Sequence, residues 1–346
     1  MPARTLRKVQ ITGGSTLIMS LPKEWTRSVG IKQGDYIAIE QLPDNSLRIL
    51  PSKLVRKGPY EVEMVVRKDM SRSMLMREFI SRYLAGYDII RVVFQEGAYN
   101  LKKVIRDILQ RKVIGMEVIE EKANELIVQC LAKHSDFPVK LAIRRMGNIT
   151  LFMLNDLISG IKDNNIELLK AIPPRDDNVD KFYIFILRQL KMVMLGLLAP
   201  SDIGARDLRE CLGIRLVIKS IERIADHVTN SATCMLEVKC RRSDIRDSLV
   251  NLGENVRELY SDAIKAFFNG NSILAHQVAD KIVQIKDIES KLVEKVMLLT
   301  DVKDAMYLRL VAESLRRIAD YSTDISEITI NLAIPGPYMT SRSTRK

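Results

Sequence analysis

The chain has 346 residues, 47% hydrophobic and 28% charged, with a formal net charge of +11. That length allows two or three domains with full cores, and the balance argues against a disordered or membrane-spanning chain. Four cysteines without CxxC spacing argue against a disulfide framework or a zinc finger. The charged start MPARTLRKVQ lacks the apolar segment of a signal peptide, and the best candidate span, Tyr183 to Pro200, is broken by Arg188, Gln189 and Lys191. A reduced, cytoplasmic protein with no transmembrane segment of its own is expected.

Residues 1–57 carry ten Lys/Arg against four Asp/Glu, so much of the positive charge sits at one end of the chain. Arg4 to Thr12 alternates basic and apolar side chains, the pattern of a half-buried strand. Gly13-Gly14 permits a tight turn into a return strand, Thr16 to Leu21. Pro22 stands where a short helix begins, Lys23 to Val29 fills it, and Gly30 stops it. Two further strands, Tyr36 to Gln41 and Leu47 to Leu50, flank the turn Asp44-Asn45-Ser46. About fifty residues of this kind bury too little surface to be stable alone, so dimerisation is expected.

The order strand, SLPKEW helix, GIKQGDYIAIE strand and a hairpin ending RILP resembles the AbrB/MazE/SpoVT-type swapped-hairpin DNA-binding domain. The resemblance implies a homodimer of interleaved hairpins with a basic surface laid on DNA. By position, Arg4, Arg7 and Lys8 on the first strand, with Lys23 and Arg27 on the helix, are the expected DNA contacts. Such side chains give a salt-dependent grip on phosphates without specifying bases.

After the basic linker SKLVRKGP, residues 58–140 read as a small β-α-β-α-β-β layer. Its expected elements are Val62–Val66, Ser71–Ala85, Ile89–Phe94, Tyr99–Lys112, Met116–Glu120 and Leu126–Leu131. It holds no phosphate loop and no nucleophile beside a base, and reads as an adapter or dimer domain, with a small-ligand sensor as the alternative. Residues 141–334 are helical, in two units: Leu141–Ile172, Val179–Ala199 and Gly204–Val238, then Ser243–Asn269, Asn271–Thr300 and Lys303–Leu332. Breaks fall at Asp163-Asn164-Asn165, Pro173-Pro174, Asn269-Gly270-Asn271 and Thr300-Asp301, and a hinge at Pro200-Ser201 offers Ser201 or Asp202 as a cap. Residues 335–346 read as a disordered basic tail.

The helical half contains an internal repeat. IRLVIKSIERIADHVTNSA from Ile214 returns 94 residues later as LRLVAESLRRIADYSTDIS from Leu308, with nine of nineteen positions identical. At about 100° per residue, Ile214, Val217, Ile218, Ile221, Ile224, Ala225, Val228, Ala232 and Met235 form one apolar stripe. Glu222, Asp226 and Asn230 lie on the opposite flank at i, i+4, i+8, where the second copy carries Arg316, Asp320 and Asp324. Carboxylates at that spacing suit a hard cation, and equally a solvated face with Lys219–Glu222 and Arg223–Asp226 pairs. His227, about 100° from Asp226, is a candidate nitrogen ligand. Asp176, Asp177 and Asp180 form a second acidic group that either joins the first or charges a helix N-terminus.

ERIADHVTN within a two-fold repeat of three-helix units resembles the PhoU family of phosphate-signalling proteins. In that family this helix bears an E(D)xxxD motif that holds metal ions on the bundle surface. The match here is Glu222 with Asp226. In the second copy Arg316 replaces the leading acid and Asp320 with Asp324 forms a shifted DxxxD pair. The resemblance implies two PhoU-like three-helix bundles, residues 141–240 and 241–334, and a divalent or trivalent metal ion, Fe, Mg, Mn or Zn. The whole is expected to be multidomain and mainly α: a swapped-hairpin β domain, a small α/β domain and the two bundles. Three histidines in the chain make a metal-dependent hydrolase a poor fit. The function expected is a phosphate-responsive, DNA-binding regulator rather than an enzyme. The alternative is an adapter that restrains a phosphate ABC transporter, its N-terminal domain serving only to dimerise.

Overall fold

The computed structural model describes residues 5–41, 46–51, 58–132, 137–240 and 242–335. They form two compact units, within 1–59 and within 60–346. The linker at 52–57, Arg4 and nearly all of the C-terminal tail lie outside the described residues.

In the first unit, β1 (Gln10–Thr12) pairs antiparallel with β2 (Thr16–Ile18), and Gly13 and Gly14 turn between them with φ of 59° and 90°. Helix α1 (Lys23–Ser28) follows Pro22, and β3 (Ile37–Gln41) pairs with β4 (Leu47–Pro51). The first strand is far shorter than Arg4–Thr12, and every residue of β1 and β2 is exposed. The alternation in the sequence is real, but among the described residues of this unit its apolar side chains are largely uncovered: Leu6 is 96% exposed and Tyr36 85%, and Ile11, Leu17, Ile39 and Leu47 are also open.

The second unit begins with a four-stranded sheet in the order β5 (Glu61–Val66), β6 (Ile89–Phe94), β8 (Glu125–Cys130), β7 (Met116–Lys122). The first pair is parallel and the others antiparallel. Helices α2 (Arg72–Leu84), capped by Ser71, and α3 (Lys102–Arg111) cover a core that includes Met64, Phe79, Tyr83, Val92, Phe94, Ile105 and Leu126. Alternate residues of β6 (Ile90, Val92 and Phe94) are buried, the period of a sheet with one covered face.

The remaining helices are α4 (Val139–Lys162), the short α5 (Ile166–Lys170), α6 (Pro173–Met194), α7 (Leu208–Glu237), α8 (Ser243–Asn269), α9 (Ser272–Val296) and α10 (Val302–Ala333). Asn165, Asp207, Asn271 and Asp301 accept backbone N–H bonds at the starts of α5, α7, α9 and α10. The cap of α7 is therefore Asp207, not Ser201 or Asp202. The latter accepts from Ala199 N at 2.8 Å in a separate one-turn 3-10 helix, Pro200–Ile203. Helix α6 starts six residues before Val179, because prolines fit the first turn, where no N–H is needed.

The apolar stripe of α7 is buried from Ile214 to Ala232, with Met235 partly so. Helices α7 and α10 run antiparallel: Arg209 at the start of α7 donates to Ile334 O at the end of α10 at 2.5 Å, and Lys303 pairs with Glu237 at 3.2 Å at the other end. Midway, His227 stacks on Tyr321 with ring centroids 5.8 Å apart. These two residues occupy the same position of the repeat, so an approximate two-fold axis passes between them.

Helix α6 joins the layers, packing against α4 and α7 on one side and α2 and α3 on the other. At that seam Arg188, 2% exposed, donates to Tyr83 O and to Gly86 O, lies 3.6 Å from Asp88, and stacks over the Tyr83 ring at 4.8 Å. Ile184 packs into the α/β core beside it.

Candidate functional site

An acidic cluster forms where the first turns of α6 meet the middle of α7. Asp176 and Asp180, one helical turn apart, share an electrostatic environment with Glu222 and Asp226, also one turn apart. Burial and the carboxylates of Asp180, Asp226 and Glu222 push the Asp176 carboxyl up to about 7. The protein around Asp226, with Glu222 and Asp180, pushes that carboxyl to about 6, although its residue surface is exposed. Asp176 Oδ1 is buried and without a hydrogen-bond partner.

Two lysines reach into the cluster. Lys219 Nζ lies 2.5 Å from Glu222 Oε2. Lys112, the residue after α3, donates to Asp177 Oδ1 at 2.7 Å and to Asp180 Oδ2 at 3.0 Å. Burial opposes the charge of Lys112, but these carboxylates outweigh it and hold the ammonium above its ordinary pKa. Asp176 and Asp180 thus join the α7 acids, while Asp177 is engaged by Lys112. Among the described residues, no three His, Cys, Asp or Glu side chains are gathered into a ready metal set.

The second repeat is arranged differently. Asp320 accepts from Arg316 at 2.6 Å and has Arg317 at 3.8 Å, while Arg316 also stands 3.9 Å from Glu289. The guanidinium that replaces the leading acid thus neutralises the group from within. Asp324 is exposed, its carboxyl raised by burial and by Glu327 and Asp320. In each pair one carboxylate is matched by a cation (Glu222 by Lys219, Asp320 by Arg316) and the other, Asp226 or Asp324, is raised.

His227 does not join the acids. Its Nδ1 is 3.4 Å from Ser314 Oγ and its ring lies on Tyr321, so the side chain faces α10. The helical turn that separates it from Asp226 by about 100° carries it into the α7–α10 interface. The pairing of Lys219 with Glu222 is present. Arg223 instead lies over the Tyr321 ring at 5.4 Å.

In the first unit, Arg7 and Lys8 are exposed in the extended segment before β1. Lys23 and Arg27, one turn apart on α1, are exposed as well. Arg4 lies outside the described residues.

The profile of the PhoU domain matches residues 143–235 and 249–329, the helices of the two repeats. A second profile, antidote-toxin recognition MazE, a bacterial antitoxin, matches residues 10–57. A phosphate-specific transport system accessory protein PhoU homolog from Zymomonas mobilis is 25% identical over 223 residues, 60% of this chain and 88% of that protein. The corresponding homolog from Clostridium acetobutylicum is 21% identical over 195 residues, 54% of this chain and 87% of its own length. Among solved structures, PhoU from Pseudomonas aeruginosa aligns with a TM-score of 0.49 and 20% identity, covering 56% of this chain and 94% of that one. No helix among the described residues is long and apolar enough to cross a membrane.

Proposed function

The chain belongs to the PhoU family, and on that footing we propose that it regulates phosphate transport, answering to phosphate status through its helical repeats and gripping DNA through its N-terminal unit. The observation that carries this reading is the union, in one chain, of two PhoU repeats with a basic unit matched by the MazE profile. Arg7, Lys8, Lys23 and Arg27 stand exposed on that unit and would contact phosphates. Its open apolar side chains favour a homodimer in which a second copy covers them. The role is regulatory rather than catalytic.

A metal ion enters as part of the proposal. The first-repeat acids offer hard oxygens, an unpartnered Asp176 Oδ1 and two raised carboxyls, but among the described residues they are not gathered as a metal set. Glu222 and Asp226 alone would have to draw further ligands toward them before an ion could be held. Asp320 is already neutralised by Arg316, whereas Asp324 is not paired with it.

The test is binding of the purified protein to promoter DNA of phosphate-transport genes over a range of salt. The expected result is tight binding with a steep salt slope. The double variant Arg7→Glu, Lys8→Glu should lower the log–log slope by about 2, at roughly 0.9 per phosphate contact. Wild-type binding no tighter than to random DNA would favour an adapter that restrains a phosphate ABC transporter, its N-terminal unit only dimerising. The description of the relatives as transport-system accessory proteins supports that second reading.

A further inference from the structure

We propose that the groove between the first half of α7 and the second half of α10 is a docking site for an amphipathic helix of a partner protein, apolar on one side and acidic along one flank. The inference deepens the regulatory reading above by naming the class of partner. It is tested by peptide binding, in which the grip on DNA plays no part.

Three leucines of α7, Leu208, Leu212 and Leu216, follow one another at i, i+4 and i+8 and all are exposed, Leu212 by 62%. Single apolar side chains on a surface are ordinary, but a ridge of three, each one turn from the next, is not. The repeat carries the ridge twice. At the corresponding positions of α10, 94 residues on, stand Val302, Met306 and Leu310, and these are exposed too. Beside the α7 ridge lies a groove of about 750 Å³, whose α10 side carries Asp324, Glu327, Ile328 and Leu332. It runs along α7 from Arg209 to Arg223, about 20 Å at 1.5 Å per residue, which is about four helical turns. A trough of that length with an apolar rim suits a helix that sets side chains into it at i, i+4 and i+7.

Charge selects the occupant and separates the two ridges. At the second ridge each cation has a carboxylate. Lys303 pairs with Glu237 at 3.2 Å, Arg309 lies 3.6 Å from Glu289 and from Glu313, and Arg317 lies 3.8 Å from Asp320. At the first ridge the matching cations are spent differently. Arg209 donates to Ile334 O and Asn331 O, Arg215 lies over the Tyr183 ring at 5.5 Å, and Arg223 lies over the Tyr321 ring. None of these three is in an ion pair among the described residues. Three guanidiniums spread along an apolar ridge complement carboxylates on the flank of a docking helix. Asp324 and Glu327 on the opposite side would repel both an anionic lipid surface and a helix acidic all round. They therefore fix which flank of the partner carries its acids.

The experiment uses the full chain and, as probe, a fluorescein-labelled stapled helix of about fifteen residues with leucine at i, i+4, i+7 and i+11 and glutamate on one flank. The same peptide with lysine for glutamate is the control. Fluorescence anisotropy compares wild type, Leu212→Asp, the double variant Arg215→Glu, Arg223→Glu, and Met306→Asp, with circular dichroism to show that each keeps its helices. Wild type should bind the glutamate peptide about tenfold tighter than the lysine peptide, and Leu212→Asp should lose about tenfold. The double variant should reverse the preference between the peptides, and Met306→Asp should leave it unchanged. Amide exchange over residues 208–223 should slow with the glutamate peptide bound. No preference between the peptides, or binding that Leu212→Asp leaves intact, overturns the proposal. So does a change of mass in light scattering on Leu212→Asp, which would give the ridge to a second copy of the chain. Binding to phosphatidylglycerol vesicles that Leu212→Asp abolishes would give it to a lipid surface and overturn the proposal as well. DNA binding should be the same in all four forms, so failure here is distinct from failure of the DNA-binding reading.

Discussion

At the scale of single residues, the cluster between α6 and α7 makes stability depend on pH in an unusual direction. An ordinary Asp titrates near 4 in an unfolded chain, whereas Asp176 titrates near 7 and Asp226 near 6 in the folded one. Between those limits the native state holds protons that the unfolded state has released, so stability falls as pH rises from about 4 to about 7. The ion-free protein should therefore melt a few degrees higher at pH 5.5 than at pH 7.5. Asp176→Asn should flatten that difference and raise the melting temperature at pH 7.5. Thermal denaturation by circular dichroism in chelator checks both. Glu222 and Asp226 were legible as a pair because the repeat and the i, i+4 spacing single them out. Lys112 was not: a lysine closing a helix reads as ordinary charge for the helix dipole, and its partners are 65 or more residues away. Arg188 was similarly hidden, its sequence context saying only that an apolar run is interrupted.

At the scale of elements, periodicity revealed the helices well and the strands of the first unit poorly. The α7 stripe was predictable residue by residue because its burial is set within one bundle. The long strand expected from Arg4 to Thr12 shrank to three residues because alternation forms a strand only where a surface awaits its apolar side. Caps moved by a few residues, as at Asp207, since several Asp and Ser in that hinge are chemically able to serve. One small residue, Gly213, sits where α7 meets the end of α10. A Cβ on Gly213 would lie 2.7 Å from Leu332 Cδ1, the end of a side chain that can turn aside. Gly213→Ala should consequently be tolerated, while Gly213→Val should destabilise by about 1–3 kcal/mol through overpacking. Urea denaturation followed at 222 nm separates the two.

At the scale of the whole molecule, the order of parts was legible from charge and repeat together. Positive charge is concentrated in residues 1–57, and the duplication lies in the helical half. The proposed dimer rests on the first unit, where Leu6, Ile11, Leu17, Tyr36, Ile39 and Leu47 are exposed. A chain with that much uncovered apolar surface on fifty residues gains by pairing with a copy of itself. Light scattering after gel filtration should give a dimer for the full chain and a monomer after removal of residues 1–57, with the helical melting transition retained. A dimer that survives the deletion would assign the contact to the second unit.

The buried guanidinium at the seam between layers also governs how the molecule can be divided. A fragment beginning at α4 would keep a folded bundle but bare Ile184, Met192 and Arg188 on one side of α6, an apolar footprint around a charge shorn of its carbonyl partners. Such a face invites self-association, and the complementary fragment, ending after β8, would expose the matching carbonyls of Tyr83 and Gly86. The boundary that a sequence comparison draws around the helices is thus a line of kinship rather than a line of cleavage, and excision along it would yield an aggregating piece.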